Sequence, residues 1–280
     1  VLSSDLSSKL VGDVVVACGV TFGVAPFMAV IDKAIVQRAA GTHTILQSSL
    51  ESMTTMVRNP ITYIKSPMFL MMWGVYAATY TTANSLKTIA EHQEYFSETS
   101  LEASSKSSKS SPLSGGSKIA IFAATTAVNS TTTMLKDKFY ARSFGTSSAA
   151  KMPLITYGLW AMRDCMVIGS SFILPEMICG AIEERTNFDR SKALQISQLL
   201  CPIATQTVAG PVQLLGLDIY NRPLSNLSWK DMVRERFQFQ CANFTSIVGA
   251  RIARIAPAYG LGGVCNTHFR DQWRESLLDK

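Results

Sequence analysis

The sequence carries little charge for its length. Asp, Glu, Lys and Arg make up 16% of its 280 residues, whereas 47% are hydrophobic, and the mean hydropathy is positive at +0.17. A soluble protein of this size ordinarily carries more charge. A protein embedded in a lipid bilayer is therefore the first class to consider.

The sequence also lacks the usual arrangements of catalytic and metal-binding residues. Its three histidines, His43, His92 and His268, are isolated, so neither a zinc site nor a histidine-based triad is predicted. No Gly-x4-Gly-Lys-Ser/Thr phosphate loop is present. The cysteines form no Cys-x-x-Cys pair, and we interpret all six as small buried side chains: Cys18, Cys165, Cys179, Cys201, Cys241 and Cys265. We expect no cofactor, no metal ion and no enzymatic activity.

Two further absences restrict the partners. Lys and Arg number 26 against 20 Asp and Glu, but they are not gathered into a basic run with interleaved aromatic residues. This distribution argues against a nucleic-acid partner. The N-terminus lacks the basic segment of a cleavable secretory signal, and its apolar run is long enough to span a membrane instead.

Long apolar runs are what the sequence does contain. Residues 11–31 carry a single charge, Asp13, over a length that can cross a bilayer. Five further runs are more polar, and one of them, 153–182, contains Arg163, Asp164 and Glu176. Such mixed helices favour a bundle with a polar interior over separate spans that face lipid all round.

We therefore predict an all-α membrane protein with six transmembrane helices in three pseudo-symmetric pairs. The helices are predicted at about 10–37, 66–91, 117–136, 152–183, 190–219 and 244–270. They form one membrane domain, 1–280, with three repeats at about 8–91, 117–183 and 190–275. The Ser- and Lys-rich segment 97–117 is predicted to be a flexible loop.

The connections within the predicted pairs are basic. Together they hold twelve Lys and Arg against six Asp and Glu, in residues 32–65, 136–151 and 217–240. Two amphipathic segments lie in them, 43–59 and 228–237, and the second opens with a serine cap at Ser228. We expect these connectors to contact the lipid bilayer, including cardiolipin.

A recurring pattern supports the three repeats. A glycine lies five residues before a polar residue in each even-numbered helix: Gly74 before Thr79 and Tyr80, Gly158 before Arg163 and Asp164, and Gly249 before Arg254. Prolines lie late in two odd-numbered helices, and an aspartate follows in all three: Asp32, Asp137 and Asp218. We interpret six residues as points of helix bending or close packing: Pro26, Pro211, Pro257, Gly74, Gly158 and Gly249.

These features resemble the mitochondrial carrier family. The most specific stretches are VGARIARIAPAYGLGGV (248–264) and YGLWAMRDCMVIG (157–169), which look like the sixth and fourth helices of that family. The resemblance implies five substrate-binding residues: Arg163, Asp164, Arg254, Thr79 and Tyr80. The usual charged gate motif of the family is missing, since the first repeat has Pro26, Met28 and Ile31 and the third has Pro211, Gln213 and Gly216.

The cost of an arginine inside an apolar helix indicates the same residues independently of this resemblance. An arginine in a membrane span is costly unless it faces a cavity or a partner, and its planar fork suits a carboxylate or phosphate. Arg163 and Arg254 are therefore ligand candidates. The alternative is that they tie helices together, Arg163 through Asp164 or Glu176. Arg251, one turn before Arg254, is interpreted as an interface anchor near the basic connector.

The expected function follows from the resemblance. It is that of a divergent carrier-like protein of the mitochondrial inner membrane, which exchanges a small anionic or zwitterionic metabolite such as an amino acid or carboxylate. The alternative is a carrier-derived structural subunit of a larger mitochondrial membrane complex without transport activity.

Overall fold

The computed structural model of the protein describes residues 2–101, 115–146, 151–172, 174–186, 188–224 and 226–278. Within these residues the fold is all-α, with ten α-helices and one π-helical turn. The helices are α1 (Leu2–Ala39), α2 (Ile45–Arg58), α3 (Pro60–Ile64), α4 (Pro67–Leu101), α5 (Gly115–Phe144), α6 (Leu154–Phe172), α7 (Leu174–Thr186), α8 (Arg190–Asn221), α9 (Trp229–Ile255) and α10 (Gly262–Leu278). The π-helical turn, Ala256–Leu261, joins α9 to α10.

Helical structure covers each of the six predicted segments, which confirms the all-α class. The helix predicted at 152–183 consists of two helices, α6 and α7. The helix predicted at 244–270 comprises the end of α9, the π-helical turn and α10. Of the predicted flexible loop 97–117, residues 102–114 lie outside the described part of the chain, whereas 97–101 and 115–117 are helical.

Two helical segments among the described residues are long and apolar enough to cross a bilayer. They are Leu6–Ala39 in α1 and Lys192–Asn221 in α8. The other four predicted spans are too polar or too short by the same measure, so the arrangement of six transmembrane helices stays a prediction.

Helix α1 is apolar on both its buried and its exposed sides. Five large apolar residues are exposed: Val11, Val14, Val15, Phe22 and Phe27. The polar residues Asp13, Thr21 and Asp32 are buried among apolar core residues such as Met28 and Ile35. Exposed apolar side chains with polar groups turned inward are what a lipid surround favours, because polar groups in hydrocarbon need protein partners.

Helix α2 also turns polar side chains toward the protein and several apolar side chains outward. The Thr44 side chain caps it by accepting a hydrogen bond from the Gln47 backbone N–H at 3.2 Å. Its polar face meets α1, where Lys33 Nζ donates to Ser52 Oγ at 3.0 Å. Its apolar side chains are exposed at helical spacing: Leu46, Leu50, Met53 and Val57. An apolar stripe turned away from the protein suits a helix that lies in a membrane interface.

The long helices contact each other in an order that does not reproduce three equivalent pairs. Helix α1 packs against α4 and α10, and α4 packs against α5. Helix α6, the predicted partner of α5, packs more extensively against α8. The three-repeat organisation is therefore not supported, and the extent of the single domain stays a prediction.

Close helix contacts occur at glycines other than the predicted ones. A Cβ added at Gly216 in α8 would lie 2.6 Å from Nε1 of the fully buried Trp160 in α6. A Cβ at Gly12 in α1 would lie 2.2 Å from the Trp273 ring in α10. Both glycines let an indole ring approach the neighbouring backbone. At the predicted packing positions, by contrast, an added Cβ would meet no atom within 4 Å: Gly74, Gly158 and Gly249.

The predicted bend positions lie inside helical structure. Pro26 is within α1, Pro211 within α8, and Pro257 in the π-helical turn. The Tyr63 hydroxyl in α3 donates to the Pro26 carbonyl oxygen at 3.0 Å. Burial raises the pKa of Tyr63 to about 12, so this donor keeps its proton over the physiological range.

All six cysteines are free thiols. Cys179 and Cys201 are buried, whereas Cys165 and Cys241 are exposed. The prediction of small buried side chains is therefore wrong for Cys165 and Cys241, which lie on the apolar exterior rather than in the core.

Candidate functional site

Seven charged residues from four helices meet in the interior of the bundle. We call them the central charge cluster, and they are Asp32 of α1, Lys136 and Asp137 of α5, Arg163 and Asp164 of α6, and Arg251 and Arg254 of α9. Six are buried, and the Arg254 side chain is 18% exposed. So many charges inside apolar helices are costly unless they are paired or functional.

Six members of the cluster form a chain of alternating charges. The middle of the chain lies on α5, where Lys136 Nζ pairs with Asp32 of α1 and with Asp137 Oδ1, the latter at 2.8 Å. Arg163 then binds Asp137 Oδ2 through Nη1 at 2.6 Å. Lys136 and Asp137, which are adjacent in α5, thus connect α5 to α1 and to α6.

The two ends of this chain are an arginine and a carboxylate. At one end Arg254 Nη1 lies 3.3 Å from Asp32 Oδ1, and its Nη2 donates to the Tyr76 hydroxyl of α4 at 2.8 Å. At the other end Arg163 Nη2 lies 2.7 Å from Asp164 Oδ1. Both predicted arginines are therefore engaged with carboxylates, as the helix-tying alternative expected for Arg163 and Asp164.

Arg251 is the exception in the cluster. It is 6% exposed, and its guanidinium is held by two neutral side chains of α8. Its Nε donates to Gln206 Oε1 at 2.8 Å, and its Nη1 donates to Gln213 Oε1. Among the described residues no carboxylate lies within ion-pair distance of Arg251. The interpretation of Arg251 as an interface anchor is wrong, because α9 continues into the bundle and turns this residue inward.

The cluster consequently has unequal charge. Lys136 and the three arginines give four cations, whereas three aspartates give three anions. The alternating chain of six is balanced, so the excess of one positive charge corresponds to Arg251. The charges of Arg163 and Arg254 repel Arg251, whereas those of Asp32 and Asp137 attract it from beyond ion-pair distance.

One carboxylate oxygen of the cluster has no partner. Asp164 Oδ2 is buried, and it makes no hydrogen bond to the described residues. A buried carboxylate oxygen without a donor is unusual, since most buried polar atoms are hydrogen-bonded. The cluster thus offers one cation without an ion-pair partner and one carboxylate oxygen without a donor.

The other two predicted contact residues lie on α4 and bind neighbouring helices. Thr79 Oγ1 is 3.2 Å from Asn129 Oδ1 of α5, and the Tyr80 hydroxyl donates to the Ala258 carbonyl oxygen at 2.8 Å. Ala258 belongs to the π-helical turn, a feature often found at functional sites. These hydrogen bonds of Thr79 and Tyr80 thus join α4 to α5 and to the π-helical turn.

Sequence reasoning missed several members of this site. Asp32 and Asp137 were interpreted only as part of the repeat pattern, and Lys136 was assigned no binding role. Gln206 and Gln213 carried no signal of their own, since glutamine in a membrane helix has many uses. Their spacing of seven residues on one face of α8 would have paired them only if the position of Arg251 had been known.

A second buried charged group, the Asp13 group, joins α1, α4 and α10. Arg270 Nε binds Asp13 Oδ1 at 2.7 Å, and Arg270 Nη2 donates to Thr88 Oγ1 at 2.9 Å. Arg274 Nη1 pairs with Glu91 Oε2 at 2.9 Å. Asp13 and Asp32 bracket the uncharged part of α1 and lie about 28 Å apart along it, close to the thickness of a bilayer core.

No group of three or more His, Cys, Asp or Glu side chains suited to a metal ion occurs in the part of the chain that the structure describes.

Comparison with known proteins identifies the family. The model of the family described as "Probable citrulline exporter" matches residues 16–274, nearly the whole chain. No curated protein matches the sequence. The match fits a multi-pass protein of a lipid bilayer that transports a small metabolite.

The expected membership of the mitochondrial carrier family is wrong. The glycine and arginine patterns behind it are short, and helices around any polar interior can share them. The mitochondrial inner membrane, the cardiolipin contact and the role as a complex subunit were drawn from that resemblance and have no support. The chain belongs to the probable citrulline exporter family.

Proposed function

We propose that the protein exports a small neutral amino acid of the citrulline type across a membrane, and that the central charge cluster binds it. A neutral amino acid is a zwitterion with one carboxylate and one ammonium group. The cluster contains an uncompensated arginine and a carboxylate oxygen without a donor, which are the complementary groups. This pairing is the observation that carries the proposal.

The balance of the cluster supports a neutral amino acid over an acidic or a basic one. An amino acid with a second carboxylate would need a cation besides Arg251, but Lys136, Arg163 and Arg254 are already engaged with aspartates. A substrate with a net positive charge would add to the positive excess. A neutral amino acid supplies one carboxylate for Arg251 and one ammonium group for Asp164, and neither contact requires an existing ion pair to break.

The proposal assigns binding and translocation to the cluster and no covalent chemistry. A transporter needs only differential binding between conformations, and charged side chains near a translocation path supply it.

The test is efflux from liposomes that contain the purified full chain. Vesicles are loaded with labelled L-citrulline, L-ornithine or L-glutamate, and release is followed with and without external amino acid. We expect release of citrulline to exceed that of ornithine and glutamate. Equal release of all three, or release no faster than from protein-free vesicles, would contradict the proposal.

A variant pair ties the activity to the cluster. Arg163→Gln breaks the contacts to Asp137 and Asp164 in the interior, whereas Arg234→Gln changes an exposed arginine of α9. We expect efflux to fall in the first variant and to stay at the wild-type rate in the second.

A further inference from the structure

Resting on the proposed function, we infer that Arg251, Gln206 and Gln213 form the subsite for the carboxylate of the substrate. In this subsite Arg251 selects for the carboxylate, and the two glutamines hold its guanidinium in place while the subsite is empty. The inference names which arginine of the cluster binds substrate, and it differs from the prediction of Arg163 and Arg254.

The surface of α8 is fitted to the Arg251 side chain. Gln206, Gly210 and Gln213 follow each other at spacings of four and three residues, which places them on one helix face. A Cβ at Gly210 would lie 3.5 Å from Arg251 Cδ and 3.1 Å from Val248 Cγ2. A side chain here would press on Val248 and touch the arginine stem, so Gly210 allows α9 to lie close to this face of α8.

The orientation of Gln206 is fixed by a second hydrogen bond. Its Nε2 donates to the Pro202 carbonyl oxygen at 2.8 Å, so its Oε1 is directed at Arg251 Nε. Both glutamines therefore present acceptors to the guanidinium. They satisfy hydrogen bonds but supply no charge, and a buried guanidinium without a counter-ion destabilises the protein that holds it.

A carboxylate removes this imbalance without breaking an ion pair. Arg163 and Arg254 already bind aspartates, so a substrate carboxylate would have to displace a charge from them. At Arg251 it displaces neutral amide oxygens, and a bidentate pair between two charged groups is stronger than hydrogen bonds from the guanidinium to neutral acceptors. The Nη2 atom of Arg251 makes no hydrogen bond to the described residues, so it can donate the second hydrogen bond of a bidentate pair with the carboxylate.

The first experiment measures the unfolding temperature of the purified full chain without ligand. Arg251→Gln removes a buried charge that has no ion-pair partner. The midpoint of thermal unfolding should therefore rise, because Arg251 serves substrate binding and does not stabilise the fold. Arg254→Gln breaks the pair with Asp32 and should lower it. Arg234→Gln, on the exposed part of α9, should leave it unchanged. A midpoint lowered in Arg251→Gln as far as in Arg254→Gln would assign Arg251 to structure and overturn the inference.

The second experiment measures recognition of the carboxylate. The wild-type midpoint should rise by about 5 °C or more with L-citrulline at ~100 Kd, and L-citrullinamide should give little rise. Arg251→Gln should lose the difference between acid and amide. Arg251→Lys keeps the charge but loses the fork, so the KM for citrulline should increase about tenfold or more.

The outcomes separate this inference from the proposed function. If the wild type exports citrulline and Arg251→Gln still distinguishes citrulline from its amide, the subsite is elsewhere and the function stands. If the wild type exports no amino acid but is stabilised by succinate and not by succinamide in an Arg251-dependent manner, the function fails and the subsite stands. If neither citrulline nor succinate raises the unfolding midpoint, the subsite is contradicted.

Discussion

Arg251 and Arg254 lie one turn apart on α9, yet only Arg254 reaches a carboxylate. The 3.3 Å contact between Arg254 Nη1 and Asp32 Oδ1 belongs to a balanced set of ion pairs, whereas Arg251 binds glutamines. Helix α9 therefore supplies Arg254 to stabilise the bundle and Arg251 to bind the substrate carboxylate. This division leads to predictions about which substitutions change stability and which change binding.

Asp137 is expected to contribute strongly to stability. It binds Lys136 at 2.8 Å and Arg163 at 2.6 Å, so Asp137→Asn leaves two buried cations with one carboxylate fewer. Removal of one partner of a buried ion pair costs about 3–5 kcal/mol. The midpoint of thermal unfolding should fall by about 2–4 °C for each kcal/mol. Glu235→Gln, on the exposed part of α9, is the control, and an equal midpoint in both variants would contradict the prediction.

Asp164 is expected to bind the ammonium group of the substrate. Asp164→Asn removes the charge of the unpartnered Oδ2, while Arg163 keeps its contact with Asp137. A hydrogen bond to a charged group contributes about 1.5–3 kcal/mol, so the KM for citrulline should rise tenfold or more. Inhibition of efflux by 5-ureidopentanoate, which has the carboxylate but no α-amino group, should be unaltered. If both molecules lose affinity equally, Asp164 acts on structure instead.

Gly216 is expected to be intolerant of a side chain. A Cβ there would come within 2.6 Å of Trp160 Nε1, and the fully buried indole has no room to move. Gly216→Ala should destabilise the protein by about 1–3 kcal/mol through overpacking. Gly249→Ala is the matched control, because no atom lies within 4 Å of the added methyl group and alanine favours the helix. A destabilised Gly249→Ala would show that this position packs as the sequence suggested.

Asp13 and Arg270 are expected to be energetically coupled. In a double-mutant cycle with Asp13→Asn and Arg270→Gln, the effects on the free energy of unfolding should differ from additivity by about 1–3 kcal/mol. The exposed pair of Asp189 and Lys192, 3.7 Å apart, is the reference, and its coupling should stay below about 0.5 kcal/mol. Equal coupling in the two cycles would mean that burial adds nothing to the Asp13 contact.

The sequence predicted the helices better than it predicted the contacts between them. Long apolar runs and caps such as Ser228, whose side chain accepts a hydrogen bond from the Asp231 N–H, are local and were readable. The partners of Arg163 were only partly readable. Asp164 is its neighbour in the chain, whereas Asp137 meets it through the packing of α5 near α6. The environment of Arg251 was predicted wrongly, because the burial of a helical residue depends on which helices pack against it, here α8.

The family was misjudged for a related physical reason. Any bundle with a polar centre needs small residues, prolines and a few charged side chains in its helices, so these features resemble each other between unrelated transporters. The close contacts at Gly12 and Gly216 arise from the indole rings that meet them, and no pattern in the glycines themselves marks them.

The π-helical turn Ala256–Leu261 sets the rotational phase between the two charged groups. At about 100° per residue, an unbroken α-helix would place Arg270 about 100° around the axis from Arg251. A π-helical turn accommodates one additional residue and so cancels a rotation of about that size. The two arginines therefore face the interior from the same side of one helical rod, although they serve different groups. Removal of a single residue from this turn would leave an unbroken α-helix with Arg251 and Arg270 still on one side. Removal of a second residue would rotate Arg270 by about 100° away from Asp13, which makes the length of this segment as important as its composition.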